Sequence, residues 1–162
     1  MLSSEQKTLK KSANTASVLA EKNAVIVREA ASSFDIDRVT ELWANLTMIQ
    51  QMRGDDHWLK NSKNSGHNWN EYIAKLIDSK GAMVLTFEKE ELIFGFAYMT
   101  LENMNAAKPN LRPSLKAVIK EIYLEPVYRK SVDYDTLAFL MRKSLQALDI
   151  NYFEIDVKDL DL

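Results

Sequence analysis

Residues 115–129 read LKAVIKEIYLEPVYR, and this stretch, together with residues 130–157, decides the fold. Val118, Ile119, Ile122 and Leu124 lie in a run rich in β-branched and aromatic side chains, which reads as a strand. The strand stops at Pro126, which has no N–H to give to a sheet ladder. Tyr134, Leu137, Met141, Leu145 and Leu148 then recur at helical spacing over 134–149, and YFEIDV (152–157) reads as a short strand. Strand, helix and strand make a βαβ unit, whose two strands must run parallel and whose crossover is expected to be right-handed.

Upstream, GAMVLTFEKE and ELIFGFAYMTLENM flank a turn near Lys89–Glu91 and read as a hairpin. MNAAKPNLRPS, with two prolines, is a loop. AVIVREA, from Ala24, alternates Val25 and Val27 against Ile26 and Arg28, which suits a strand near a sheet edge. Asp35 then stands where a helix cap belongs, because a carboxylate can accept first-turn N–H groups. Val39, Leu42, Trp43, Leu46 and Ile49 come next at helical spacing, toward a stop at Gly54. Residues 54–67 form a polar loop, and a second helix from Trp69 to about Ser79 carries Tyr72, Ile73, Leu76 and Ile77. The predicted order is β-α-α-β-β-β-α-β, an α/β fold with a mixed central sheet and helices on both faces. Residues 1–23 are polar and read as a flexible or loosely helical tail ahead of one domain over 24–162.

A chain of 162 residues is one domain by default and buries a core without staples. The absence of cysteine excludes disulfides and thiolate metal sites, and it suits a cytoplasmic location. A net charge of −2 argues against nucleic acid as a partner. No apolar run approaches the roughly 18 residues that span a bilayer, so no membrane is expected. The N-terminus is too polar for a secretory signal, although its Ser/Lys-rich, acid-poor start leaves an organelle transit peptide as the alternative.

Four pieces, taken in order over 24–157, resemble the GNAT superfamily of acetyl-CoA-dependent N-acetyltransferases. REAASSFDIDRVTELWANL is similar to that family's first strand and helix. VLTFEKEELIFGFAYMTLEN is similar to its central hairpin, with Gly95–Phe96 at the "G-[YF]" step. KAVIKEIYLEPVYR is similar to "I-x-x-[IL]-Y-V-x-P-x-Y-R", with Leu124 in place of the valine, and YFEIDV is the fourth piece. The resemblance implies a fourth strand whose splayed end offers backbone groups of Tyr123 and Leu124 to the pantetheine arm of acetyl-CoA. It implies a general-base carboxylate at Glu121. It also implies a loop R-x-x-G-x-G wrapping the pyrophosphate at the N-terminus of the third helix.

Laid on that loop motif, Arg129 matches the basic residue, but Val132 and Tyr134 fall where the glycines belong. The four glycines, Gly54, Gly66, Gly81 and Gly95, all precede the loop, so no shift of register restores it. A β-branched Val resists positive φ, and Tyr puts a ring where phosphate would sit. Asp133 and Asp135 suit the helix dipole, either of them as N-cap, and they repel a pyrophosphate. Relatives in the resemblance usually continue past the last strand with a helix and hairpin. The 152–157 edge is therefore expected to be covered by a second copy, a partner chain or the N-terminal tail.

The expected function is that of a GNAT-fold protein with a degraded pyrophosphate loop, a non-catalytic binding, regulatory or structural module without cofactor. The alternative is an N-acetyltransferase that uses acetyl-CoA on a small amine or protein amine by direct transfer. Elsewhere, His57 and His67 match no tight zinc spacing and no metal site is expected, while Asp55 and Asp56 are solvated or attract an amine. Trp43, Trp58 and Trp69 read as packing residues rather than a base-stacking platform. Lys7, Lys10, Lys11 and Lys22 read as a solvated tail.

Overall fold

The computed structural model describes residues 24–52 and 69–155. Its elements are β1 (Ile26–Glu29), α1 (Ser33–Met52), α2 (Trp69–Asp78), β2 (Ala82–Lys89), β3 (Leu92–Asn103), β4 (Leu115–Leu124), a 3-10 turn (Pro126–Tyr128), α3 (Tyr134–Ala147) and β5 (Tyr152–Ile155). This is the expected order. The five strands lie in sequence order, antiparallel from β1 to β4 and parallel between β4 and β5. Gly54, His57, His67, Asp55, Asp56, Trp58, the tail 1–23 and residues 156–157 lie outside the described residues. Among those residues no helix is long and apolar enough to cross a membrane.

Strand alternation builds two cores. One face of the sheet packs Leu85, Phe87, Phe94, Met99, Ile119 and Ile122 against Leu137, Met141 and Leu145 of α3. The other packs Val84, Phe96 and Tyr123 against Val39, Leu42 and Trp43 of α1 and Ile73 of α2. Trp43 stacks on Phe96 with centroids 4.9 Å apart, so the tryptophan is core, as its helical spacing implied. Ser144 Oγ donates to Val27 O at 2.8 Å, which ties α3 to the edge strand β1.

The start of α1 differs from the expectation. Ser32, not Asp35, is the cap: Ser32 Oγ accepts from Asp35 N at 3.1 Å. Asp35 sits three residues on and reaches back to Ser32 N at 3.3 Å. The two form a reciprocal capping box with Asp in the position usually held by Glu. The carboxylate that the sequence offered as a cap is instead buried against Arg28, with Oδ2 2.7 Å from Nη1 and Oδ1 2.8 Å from Nη2.

The β2–β3 turn is two residues long and lies where the hairpin pattern puts it, but its chemistry is unusual. Glu90 (φ 52°) and Glu91 (φ 64°) both hold left-handed backbone, as a type I′ hairpin turn demands. Asn-Gly is the favoured pair there, and each L side chain in that region costs about 1–2 kcal/mol. A Glu90→Asn/Glu91→Gly double variant is therefore expected to be more stable by about 1 kcal/mol or more. Urea denaturation reads this directly, and an unchanged or lower midpoint would remove the strain argument.

Candidate functional site

The C-terminal end of β4 is fixed from three directions. Gly95 and Phe96 of β3 pair with Leu124 and Tyr123. Glu125 N continues the ladder by donating to Phe94 O at 2.8 Å. Arg38 of α1 donates through Nε to Ile93 O at 2.9 Å, pairs through Nη2 with Glu125, and meets Glu41 through Nη1 at 2.9 Å. One guanidinium thus joins α1 to the ends of β3 and β4. Nothing in the local pattern of FDIDRVTEL marks Arg38 for that role, since Ile93 and Glu125 are 55 and 87 residues away.

Beyond β4 the chain folds back on itself. The 3-10 turn starts at Pro126, and Tyr128 stacks on Phe94 at 4.6 Å. Arg129 Nε donates to Leu124 O at 3.0 Å, and its guanidinium lies 5.7 Å from the centre of the Tyr123 ring. Val132 is half-buried and, with Tyr128, packs against the α3-side core. Asp133 is the N-cap of α3: its carboxylate accepts from Asp135 N at 3.4 Å and Thr136 Oγ1 at 3.2 Å. Asp135 is not the cap. The Tyr134 hydroxyl, in the first turn of α3, is buried without a hydrogen-bond partner. Burial pushes its pKa up, so it stays a neutral phenol.

Glu121 stands opposite Tyr98 on β3, where a bulge interrupts the pairing: Tyr98 faces Glu121 while Met99 faces Ile119. Lys120 is the extra residue. Glu121 is two residues from Tyr123, so it shares the sheet face that carries α1 and α2. Tyr72 of α2 and Lys120 lie close enough to Tyr98 to act on its charge. Burial is the largest cause holding Tyr98 above the usual tyrosine range; Tyr72 adds to it and Lys120 opposes it. The Tyr123 phenol is also raised, chiefly by burial, which Arg129, Asn45 and Arg38 oppose and Glu125 reinforces. Glu121, Tyr123 and Leu124 thus lie on β4, Arg129 and Val132 in the segment between the 3-10 turn and α3, and Tyr134 in the first turn of α3. The sequence did not reveal the bulge, or that Tyr98 stands opposite Glu121 with Tyr72 close to Tyr98; a Tyr on the apolar stripe of α2 and another in the apolar strand β3 were the available signal.

β5 pairs with β4 over Lys116–Ile119, and among the described residues no strand lies on its other side. Tyr152 and Ile155 are exposed there, whereas Phe153 packs inward.

No protein-family model matches the chain, and no curated protein matches it in sequence. Solved structures do. An acetyltransferase from Vibrio fischeri is 18% identical over 83% of this chain and 98% of its own, with a TM-score of 0.51. A ribosomal-protein-alanine N-acetyltransferase from Brucella melitensis biovar Abortus 2308 is 12% identical over 85% of this chain and 83% of its own, with a TM-score of 0.57. A predicted acetyltransferase from Clostridium acetobutylicum, solved with acetyl-CoA, is 12% identical over 82% of this chain and 80% of its own, with a TM-score of 0.51. With its five-stranded mixed sheet, its βαβ closure and these neighbours, the chain has the GNAT acetyltransferase fold.

Proposed function

We propose that this protein is a GNAT-fold binding module that has given up the pyrophosphate site of acetyl-CoA. The single observation that carries this reading is the Asp133 carboxylate at the N-terminus of α3, bonded to Asp135 N and Thr136 Oγ1. A helix N-terminus attracts an anion through its free N–H groups and dipole. Here the chain's own anion takes that place. Val132, packed against the core, and the half-buried Tyr134 stand where close backbone approach to phosphates would need glycine. Arg129 gives Nε to Leu124 O instead of an open site. The residues present do not fit the phosphate end of the cofactor. In this reading the side of β5 (Tyr152–Ile155) on which no described strand lies takes a second copy or a partner chain by strand addition.

Calorimetric titration with acetyl-CoA and with CoA tests the reading. The expected result is no detectable heat up to millimolar ligand. Micromolar binding would overturn it. That outcome would favour the second reading, an N-acetyltransferase that holds acetyl-CoA mainly at Tyr123 and Leu124, with Glu121 as the base for a small or protein amine. What supports this alternative is the position of Glu121 beside Tyr98, on the sheet face that carries α1 and α2. A Glu121→Gln variant would then bind acetyl-CoA with unchanged heat and lose transfer.

A further inference from the structure

The turn before β3 and the loop after it carry opposite charge, while Glu102 at the end of β3 itself is paired with Lys116. At its start, the hairpin tip bears Glu90 and Glu91, both exposed, beside Leu92 (46% exposed). Ile26, half exposed, lies at the same end, since it pairs with Glu88. At its finish lies the loop 104–114, with Lys108 and Arg112 exposed beside Met104 (47%) and Leu111 (52%). No acidic residue occurs between Asn103 and Lys120. Among the described residues, Lys108, Arg112, Glu90 and Glu91 form no ion pair, whereas Lys116 nearby is taken by Glu102 and Glu154.

The loop is built to hold its shape. Asn103 Oδ1 accepts from Asn105 N at 3.0 Å and Ser114 N at 3.1 Å. Asn105 Nδ2 donates to Arg112 O at 2.8 Å, and Met104 N donates to Ser114 O at 2.8 Å. Two prolines, Pro109 and Pro113, stiffen it further. A pre-ordered loop loses little entropy when it docks. Its two cations and two apolar side chains need a partner with two anions and apolar neighbours.

The β2–β3 tip offers that set, but not within the same molecule. The two ends are separated by the 12 residues of β3, about 40 Å of extended strand. We infer that the cationic loop 104–114 of one copy docks on the acidic hairpin tip 90–92 of the next, a head-to-tail contact between copies of this chain. Such a contact is heterologous, so it yields open chains or a ring rather than a two-fold dimer. A membrane is the weaker occupant, because two cations attract an anionic surface too little to hold a protein there.

Sedimentation across a wide concentration range, at low and at high salt, reads the contact. The wild type is expected to grow past dimer with concentration at low salt and to dissociate as salt screens the charges. The variants Glu90→Lys/Glu91→Lys and Lys108→Glu/Arg112→Glu are each expected to lower the association constant by about tenfold or more. An equal mixture of the two should associate again, because the reversed tip of one variant still meets the reversed loop of the other with opposite sign. The stabilised Glu90→Asn/Glu91→Gly variant should be the better-folded protein and yet associate less, which separates docking from folding. A wild type that stays monomeric throughout overturns the inference. So does a mixture that fails to recover association. Association that persists in both reversed variants also overturns it and places the contact elsewhere, the β5 edge included. None of these outcomes bears on acetyl-CoA binding, which calorimetry decides separately.

Discussion

An Asp35→Asn variant is expected to lose about 3 kcal/mol of stability at neutral pH, because breaking one partner of a buried ion pair leaves the other uncompensated. Asp35 is only 2% exposed and accepts four hydrogen bonds: two from Arg28, one from Ala31 N at 3.1 Å and one from Ser32 N. An amide of the same shape turns an N–H toward the guanidinium and can keep only part of that set. Arg28 retains Glu88 at 3.4 Å, and it is 38% exposed, so water recovers some of the loss. That keeps the expected cost at the lower end of the range for buried pairs. The change also breaks the capping box of α1, the helix that brings Arg38 to the ends of β3 and β4.

The same pair sets an acid limit on the fold. The Arg28 hydrogen bonds hold the Asp35 carboxyl well below the usual carboxylate range; burial opposes them, and the Ala31 and Ser32 amides reinforce them. A group whose folded pKa is depressed stabilises the fold above its unfolded pKa, near 4, and loses that contribution as pH falls toward the folded value. Wild type and Asp35→Asn should therefore differ most near neutral pH. They should converge as pH drops below about 4. Urea midpoints measured at several pH values report this. A gap that stays constant into acid would mean that the carboxylate charge contributes nothing.

Much of this architecture was legible because it depends on local periodicity. The two-residue alternation in AVIVREA, the Pro126 stop, and the spacing of Leu137, Met141 and Leu145 each depend on neighbours a few residues away. The Asp133 cap was within reach for the same reason: it is a short polar residue just ahead of a helical pattern. Asp35 had the same local signature, and there the reading failed. Its burial is decided by Arg28 on β1, seven residues back, and Ser32 was left to cap the helix. The role of Arg38 was not legible at all, because Ile93 and Glu125 are strand ends brought close only by the tertiary fold. The bulge at Lys120 was also out of reach, since a bulge depends on the register of two strands and the sequence of one strand does not specify it. In the candidate site, the positions of Arg129, Val132 and Tyr134 came from the motif. What each side chain does there is packing, which the motif does not encode.

Gly95→Ala is the second change expected to have a large effect, about 3 kcal/mol of lost stability, at the upper end of ordinary overpacking. Gly95 is not required here for left-handed backbone; the requirement is space. A Cβ would lie 2.5 Å from Tyr123 O, 2.7 Å from Leu124 Cδ2 and 2.9 Å from Phe87 Cδ2. The leucine end can rotate away, but a backbone carbonyl fixed in the β3–β4 ladder cannot move without dragging the strand. Gly95 also sits next to the β3 bulge, where Phe87 pairs with Gly95 while Glu88 pairs with Ile93. Phe94, the extra residue, thereby reaches Glu125 N through its carbonyl and Tyr128 through its ring. Any outward shift of β4 would disturb Glu125, its pair with Arg38, and the Arg129–Leu124 bond together. The melting temperature should fall by roughly 6–12 °C for a chain of this size. A Leu124→Ala background removes one of the three contacts and leaves the carbonyl. If the carbonyl is the obstacle, Gly95→Ala should cost almost as much there as in the wild type. A cost that vanishes in the Leu124→Ala background would instead make the leucine side chain the obstacle. A loss below about 1 kcal/mol in the wild type would show that β4 can yield at its end. The tight seam between β3 and β4, on which the placement of Tyr123, Leu124 and Arg129 rests, would then be looser than its geometry implies.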